Sequence, residues 1–151
     1  TLQIKDELER KRQLPFDRVW VVFDKDDFTD FNEAIQLATS YSFQSAWTNE
    51  AFELWYLLHF QYLDAGISRH DYIEKLQSEI RKHPGYENYE YKKNDVSVYK
   101  MLTTIGNEDL AKRYAERLRS FFEDDEDYKE HKPCTTVDLL VRELENPEKL
   151  L

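Results

Sequence analysis

The sequence predicts a mixed α/β fold in which helices cover a parallel sheet. The apolar run 19–23 does not alternate with polar residues, and it predicts a strand buried on both faces, as is typical of parallel sheets covered by helices. Residues 28–40 follow with apolar side chains at helical spacing, and residues 41–47 predict a second short strand. This order of strand, helix and strand indicates a parallel βαβ unit.

The remainder of the chain is predicted to be mostly helical. Pro15 ends the first helix, Ser68 and Asn107 are suitable N-caps, and Gly106 is a suitable helix end. Residues 86–95 are polar and rich in Tyr, so we expect a loop there. The predicted helices cover residues 1–13, 28–40, 50–63, 68–82, 96–105, 107–122 and 135–145.

Composition excludes several classes of protein. The 151 residues suit one domain, and 31 Asp and Glu against 21 Lys and Arg give a net charge of -10, which argues against a broadly basic nucleic-acid coat protein. Three Gly are too few for a glycine-rich phosphate loop. The single Cys134 excludes an internal disulfide and a zinc site with several cysteines, and it favours a cytoplasmic location. The acidic run 123–127 is expected to be a solvated loop.

Two carboxylates follow the first predicted strand. Asp24 and Asp26 are two residues apart, so on an extended backbone they would point the same way, roughly 6–7 Å apart. Ligands of open α/β sheets bind at the carboxyl ends of strands, and paired carboxylates with substrate phosphates suit Mg²⁺. The alternative is that this Asp-rich segment is an ordinary turn.

Four polar residues lie within the apolar segment 50–63 or directly before it. Asn49, Glu53, Tyr56 and His59 are spaced by four, three and three residues, which on a helix places them within about 120° of arc. A buried Glu needs a partner, a metal ion or a proton. Alternatively, this face meets solvent, Asn49 or Thr48 caps the helix, and His59 is a packed, hydrogen-bonded histidine.

Basic residues also cluster locally despite the acidic total. Lys or Arg beside Tyr can bind phosphates and stack bases, although such charges are more often a solvated face. The clusters include residues 10–12, Arg69, Lys75, Arg81, Lys82, Lys92, Lys93 and cations between 112 and 119.

Residues 21–27 and 47–60 resemble the RloB-like family, bacterial proteins associated with restriction and abortive phage-resistance loci. The family pattern has a strand ending in Asp-x-Asp, then Ser-Asn-Pro-x-Phe-Glu-Leu-Trp-x-Leu-Leu-His-Phe. Residues 49, 52–55 and 57–60 match this block in order, while Thr48, Glu50 and Ala51 depart from it. Residues 133–141 are similar to the family's Pro-Ser-Thr-Thr block.

The resemblance implies a Toprim-like parallel sheet with flanking helices and a helix-rich C-terminal half. It implies a nuclease-like site for phosphoryl transfer on nucleic acid, in a cytoplasmic phage-defence protein. Asp24 and Asp26 would bind Mg²⁺ or Mn²⁺, Asn49 and Glu53 would bind or orient the metal shell, and Lys25 would contact phosphate. His59 would support these ligands by a hydrogen bond, or pack.

Toprim enzymes also use a Glu in a Gly-containing turn after their first strand, and this Glu is absent from the sequence. We therefore expect residues 1–151 to form a single domain that is truncated before Thr1. One alternative is a non-catalytic interaction module that partners an ATPase or a restriction component. Another is nucleotide binding or nucleotidyl transfer at the same acidic edge.

Overall fold

A two-stranded parallel sheet and the helices around it make up the fold. The structure, a computed structural model, describes residues 1–122 and 125–147. Strands β1 (Trp20–Asp24) and β2 (Gln44–Thr48) pair in parallel. The predicted mixed α/β class is thus confirmed. The α-helices of the described residues are α1 (Leu2–Arg12), α2 (Phe31–Ser40), α3 (Glu53–Leu57), α4 (Arg69–Ile80), α5 (Val98–Ile105), α6 (Glu108–Arg119) and α7 (Val137–Glu145).

The two strands differ in burial. In β2, Ala46, Trp47 and Thr48 are buried, because β1 lies on one side and Thr135 forms an antiparallel bridge to Thr48 on the other. No residue of β1 is fully buried, and Val22 is 51% exposed. The prediction of a first strand buried on both faces is therefore wrong for the described structure, in which β1 is an edge strand.

Helix α3 is much shorter than the predicted helix over 50–63. Glu50 has a left-handed backbone with φ 74°, so the helix does not begin there. At the other end, the carbonyl of Trp55 accepts a hydrogen bond from Nδ1 of His59 at 2.9 Å. The backbone N–H of His59 bonds instead to the carbonyl of Tyr56, three residues back, which tightens the chain and ends the helix.

Caps at several helix ends agree with the sequence. Ser68 and Asp71 form a reciprocal capping box at the start of α4, and the side chain of Asn107 caps α6. Thr136 occupies the N-cap position of α7 but makes no capping bond. Its hydroxyl accepts a hydrogen bond from the backbone N–H of Trp47 at 2.8 Å, which joins α7 to β2.

Gly106 ends α5 for a reason that the sequence does not show. Its φ of -94° is open to any residue, so the left-handed region is not the requirement. A Cβ at this position would lie 2.7 Å from the carbonyl oxygen of Leu102 and 2.9 Å from Cβ of His59. The absence of a side chain therefore allows α5 to end directly against the segment after α3.

The largest buried cluster lies between α3, α4, α5, α6 and α7. Its fully buried members include Leu54, Leu58, Tyr72 and Leu76. A smaller cluster near α2 contains Cys134, where burial raises the pKa of the thiol to about 12. This cysteine is packed as a small apolar residue. None of the helices in the described parts of the chain combines the length and apolar character that crossing a bilayer requires.

The acidic run 123–127 falls partly within the structure. Residues 123 and 124 lie outside the described residues, while Asp125 and Glu126 are exposed. The exposure of these two residues agrees with the predicted solvated loop.

Asp138 is a fully buried charge that links α6 to α7. Both terminal nitrogens of the Arg119 guanidinium, Nη1 and Nη2, donate to its carboxylate. Nη1 also donates to the carbonyl of Thr135 at 2.9 Å. Asp138→Ala would leave this guanidinium without its anion. We expect the free energy of unfolding in urea to fall by about 3–5 kcal/mol. Asp64→Ala, at an exposed loop position, should change it by less than about 0.5 kcal/mol. Equal losses in both variants would contradict a structural role for the Arg119–Asp138 pair.

Candidate functional site

Three carboxylates surround one guanidinium at the carboxyl end of β1. Asp24 is the last residue of β1, Asp26 lies in the turn that follows, and Glu53 begins α3. Arg69, the first residue of α4, donates from Nη2 to Asp24 at 2.5 Å and from Nη1 to Asp26 at 2.9 Å. Its Nε lies 3.7 Å from Oε2 of Glu53. We call these four residues the acidic cluster.

A turn, and not an extended strand, brings Asp24 and Asp26 together. The backbone N–H of Lys25 still donates to Thr48 at 2.9 Å, but Asp26 has a left-handed backbone with φ 45°. Its N–H donates to the carbonyl of Glu50 at 2.9 Å. The expected extended geometry is thus wrong, while both carboxylates still reach a common partner. Asp tolerates the left-handed region better than most residues, which suits this position.

Glu53 is the buried member of the acidic cluster. Its side chain is 5% exposed, and its Oε1 accepts a hydrogen bond from the hydroxyl of Tyr91 at 2.9 Å. Burial and the charge of Glu53 raise the pKa of Tyr91, which keeps this hydroxyl protonated as a donor. Oε2 of Glu53 is buried without a hydrogen-bond partner among the described residues. This oxygen is available to a further cation or donor.

Arg69 carries a fixed positive charge. Burial disfavours the charged guanidinium, but the hydrogen bond with Asp26 and the charges of Asp24 and Glu53 outweigh it, and the pKa of Arg69 is raised. One positive charge thus faces three carboxylates. The acidic cluster holds more negative than positive charge and favours further cations.

The acidic cluster provides the type of ligand that hard divalent cations prefer. Carboxylate oxygens suit Mg²⁺ and Mn²⁺ as ligands. Oε2 of Glu53 accepts no hydrogen bond from the described residues, so it is an unused ligand of this kind. Within the described ranges, no three His, Cys, Asp or Glu side chains come together closely enough to hold a metal ion. Arg69 lies between the carboxylates, so a metal ion would compete with its guanidinium.

The sequence of this site region falls within a known family. A family model described as RloB-like protein matches residues 2–144. The chain belongs to the RloB-like family. The match covers the acidic cluster and nearly all of the described structure, and it confirms the predicted family. No curated protein and no solved structure matches the chain.

The side chain of Asn49 of this RloB-like chain forms its hydrogen bonds outside the acidic cluster, although its backbone directly follows the strand end that pairs with Asp24. It is fully buried, and its Nδ2 donates to the carbonyls of Tyr128 and Lys129 at 2.9 and 2.8 Å. Its backbone N–H donates to the carbonyl of Cys134 at 2.9 Å. These hydrogen bonds of Asn49 hold the segment before α7 against the end of β2.

The side chain of His59 also forms its hydrogen bond outside the acidic cluster. It is 4% exposed, and its Nδ1–H donates to the carbonyl of Trp55 while its ring meets that of Trp55 edge-on. Burial lowers the pKa of His59, although the hydrogen bond to Trp55 opposes this in part. Asn49, Glu53 and His59 therefore do not share one helix face, and the structure brings only Glu53 to Asp24 and Asp26.

Two residues of the site escaped the sequence analysis. Arg69 was noted only as one of several cations, yet it follows the N-cap Ser68, where the helix dipole favours an acidic residue. A cation at the first position of a helix was thus a signal that it has a partner elsewhere. Tyr91 had no such signal, because its contact with Glu53 joins residues 38 apart in sequence.

The depressed pKa of His59 predicts a pH-dependent stability. In the unfolded chain His59 takes up a proton near pH 6.5, whereas in the folded chain it does so only at a lower pH. Its contribution to stability is therefore complete above pH 6.5 and is lost as the pH drops toward the folded-state pKa. His59→Asn keeps a donor for the Trp55 carbonyl without the titration. Between pH 7.5 and 5.5, we expect the unfolding free energy of the variant to fall less than that of the unaltered protein, by up to about 1 kcal/mol per pH unit. His70→Asn, at a 77% exposed side chain, should not change the slope. Identical slopes in all three proteins would refute this reading of His59.

Proposed function

We propose that this RloB-like chain carries a nuclease-like site that uses Mg²⁺ or Mn²⁺ for phosphoryl transfer on nucleic acid. The observation that carries the proposal is the convergence of Asp24, Asp26 and Glu53 at the end of a parallel strand, with one buried oxygen of Glu53 left unpartnered. The carboxyl ends of parallel strands are the usual place for ligands in α/β folds. A surplus of carboxylates at that place supports a cation-dependent reaction.

The carboxylates, Tyr91 and Arg69 have different roles in this proposal. With Arg69 displaced from between them, Asp24, Asp26 and Glu53 would hold the cation. Tyr91 keeps Glu53 in orientation through its hydrogen bond to Oε1. When bound, the metal supplies an activated water and offsets negative charge on the phosphate. Arg69 exchanges its carboxylate partners for the non-bridging oxygens of the phosphate, which suit its planar set of donors.

Residues outside the acidic cluster support the reaction indirectly. Lys25 is adjacent to both aspartates, and its ammonium lies 3.4 Å from the carbonyl of Asp26, so it can turn toward a phosphate at the same edge. Asn49 and His59 form hydrogen bonds on either side of α3, which hold the helix that begins at Glu53 in place. The family's association with phage-resistance loci supports a cytoplasmic role in phage defence.

A second candidate function is a non-catalytic interaction module that partners an ATPase or a restriction component. The observation that favours it is the pairing of Asp24 and Asp26 with Arg69, which gives both carboxylates a cationic partner without a metal ion. In this case the acidic cluster is a structural ion-pair network that joins β1 to α4. The two candidates differ in whether a divalent cation competes with Arg69.

Removal of the carboxylates tests the proposed reaction. We expect Asp24→Asn with Asp26→Asn, and separately Glu53→Gln, to weaken Mg²⁺ and Mn²⁺ binding in calorimetry by at least about tenfold. Cleavage of labelled DNA or RNA by the full-length protein should fall on the order of 100-fold, since a metal ion supplies several kcal/mol of charge stabilisation. Asp27→Asn is the matched control, because Asp27 is an exposed neighbour in the same turn. Unchanged metal affinity in the double variant would exclude the proposal and favour the interaction module.

Removal of Arg69 separates the two candidates. Arg69→Met leaves three carboxylates without their cation, so the melting temperature without metal should fall in either case. If a metal ion competes with Arg69, Mg²⁺ should bind the variant more tightly, and millimolar Mg²⁺ should raise its melting temperature more than that of the unaltered protein. Lys75→Met, exposed on the same helix, should alter neither quantity. A destabilised Arg69 variant that does not respond to Mg²⁺ or Mn²⁺ would support the module.

A further inference from the structure

A cavity of about 290 Å³ opens directly beside the acidic cluster. It is formed where β1 and α3 face the loop between α4 and α5. Carboxylates, aromatic rings and lysines line it, together with two valines and an asparagine. The lining residues that matter here are Asp24, Glu53, Tyr56, Tyr91, Lys92 and Lys93.

The loop wall of the cavity is held in place by contacts with the helices. The backbone N–H of Tyr91 donates to Oε1 of Gln77 at 2.9 Å, and the hydroxyl of Tyr91 donates to Glu53. Arg81 donates from Nε to the carbonyl of Tyr89 at 2.8 Å. The cavity is therefore formed before any ligand arrives, which lowers the ordering cost of binding.

Lys92 and Lys93 supply positive charge at the edge of the cavity. Both residues are exposed, and neither has a carboxylate within ion-pair distance in the portions of the chain that the structure describes. Asp24 and Glu53 line the cavity from β1 and α3, and Asp95 lines it from the same loop as the two lysines. A ligand that spans it must therefore present anionic oxygens to the lysines while a cation balances the carboxylates.

The rings of Tyr56 and Tyr91 provide the apolar surface between these charges. Their centroids are 6.4 Å apart with the planes inclined by 56°, and both side chains are partly exposed. A planar ring can stack on an exposed tyrosine face, and all four nucleobases have such a ring. A base within a duplex is stacked and paired, so it cannot enter a cavity of this size without leaving the helix.

We propose that this cavity binds one unstacked nucleotide of a single-stranded nucleic acid. Its base lies against Tyr56 and Tyr91, and its flanking phosphates lie against Lys92 and Lys93. The inference rests on the proposed function, because it makes the neighbouring phosphate the one that reaches the acidic cluster. It narrows the substrate from nucleic acid in general to a single strand or an unpaired segment.

Fluorescence anisotropy with three labelled 12-mers of equal backbone length tests the proposal. The probes are single-stranded oligothymidylate, an abasic tetrahydrofuran strand, and a duplex; thymidine monophosphate serves as a competitor. Ca²⁺ replaces Mg²⁺ as an oxygen-binding cation, and a parallel series contains chelator. We expect the single strand to bind at least tenfold more tightly than either the abasic strand or the duplex. Effective competition by the monophosphate at micromolar concentration would overturn a polymer as the occupant.

Two variants locate the binding. Lys92→Ala with Lys93→Ala should weaken single-strand binding at least tenfold and reduce the slope of log affinity against log salt by about 1.4. Arg10→Ala with Lys11→Ala is the matched control, because these adjacent cations bond within their own helix α1, and it should change affinity by less than about twofold. Tyr56→Leu should abolish the preference for the strand with bases, after circular dichroism has shown that the variant is folded. If Tyr56→Leu is not folded, Tyr56→Phe replaces it and should retain the preference.

The outcomes separate this inference from the proposed reaction. If base-dependent binding persists in chelator and is lost in the lysine variant, the cavity binds a nucleotide even where the metal reaction fails. If cleavage depends on Asp24 while the three probes bind equally, the reaction stands and the cavity proposal falls. Equal binding by the lysine variant and the unaltered protein would also overturn it.

Discussion

The rest of the site depends on the ion pairs that the guanidinium of Arg69 forms with three carboxylates. Asp24 and Asp26 come from the end of β1 and the turn after it, and Glu53 comes from α3. Carboxylates placed so closely repel one another unless a positive charge lies between them. Arg69 supplies this charge from the first residue of α4. Since the same contacts tie β1 and α3 to α4, the geometry of the acidic cluster and the packing of the helices are maintained together.

The position of Arg69 also makes it exchangeable. The N-terminus of a helix carries partial positive charge and favours anions, so a cation at the first residue of α4 works against its own helix. The capping box of Ser68 and Asp71 satisfies the free amides there, and the three carboxylates offset the remaining cost. A divalent cation brings twice the charge to the carboxylates, and a phosphate would be favoured by both Arg69 and the helix end.

Features that depend on neighbours in sequence were predictable, and features that depend on distant contacts were not. The strand order, the caps at Ser68 and Asn107 and the loop over 86–95 follow from local patterns. The end of α3 depends on whether the ring or the N–H of His59 takes the Trp55 carbonyl, which periodicity does not reveal. The partners of Asn49 lie about 80 residues further along the chain, so its helical spacing from Glu53 had no structural meaning.

The net charge of -10 acquires a different meaning once the charges are placed. Screening in physiological salt limits the reach of each charge to about 8 Å. A phosphate near the acidic cluster therefore responds to the local charges more than to the net charge of the chain. With Arg69 alone, three carboxylates still leave an excess of negative charge that repels a phosphate. The lysines at the cavity edge do not remove that excess, because Asp95, which also lines the cavity, is influenced by the charge of Lys92 and adds a further negative charge. Cation binding must therefore precede or accompany the approach of the phosphate to the acidic cluster.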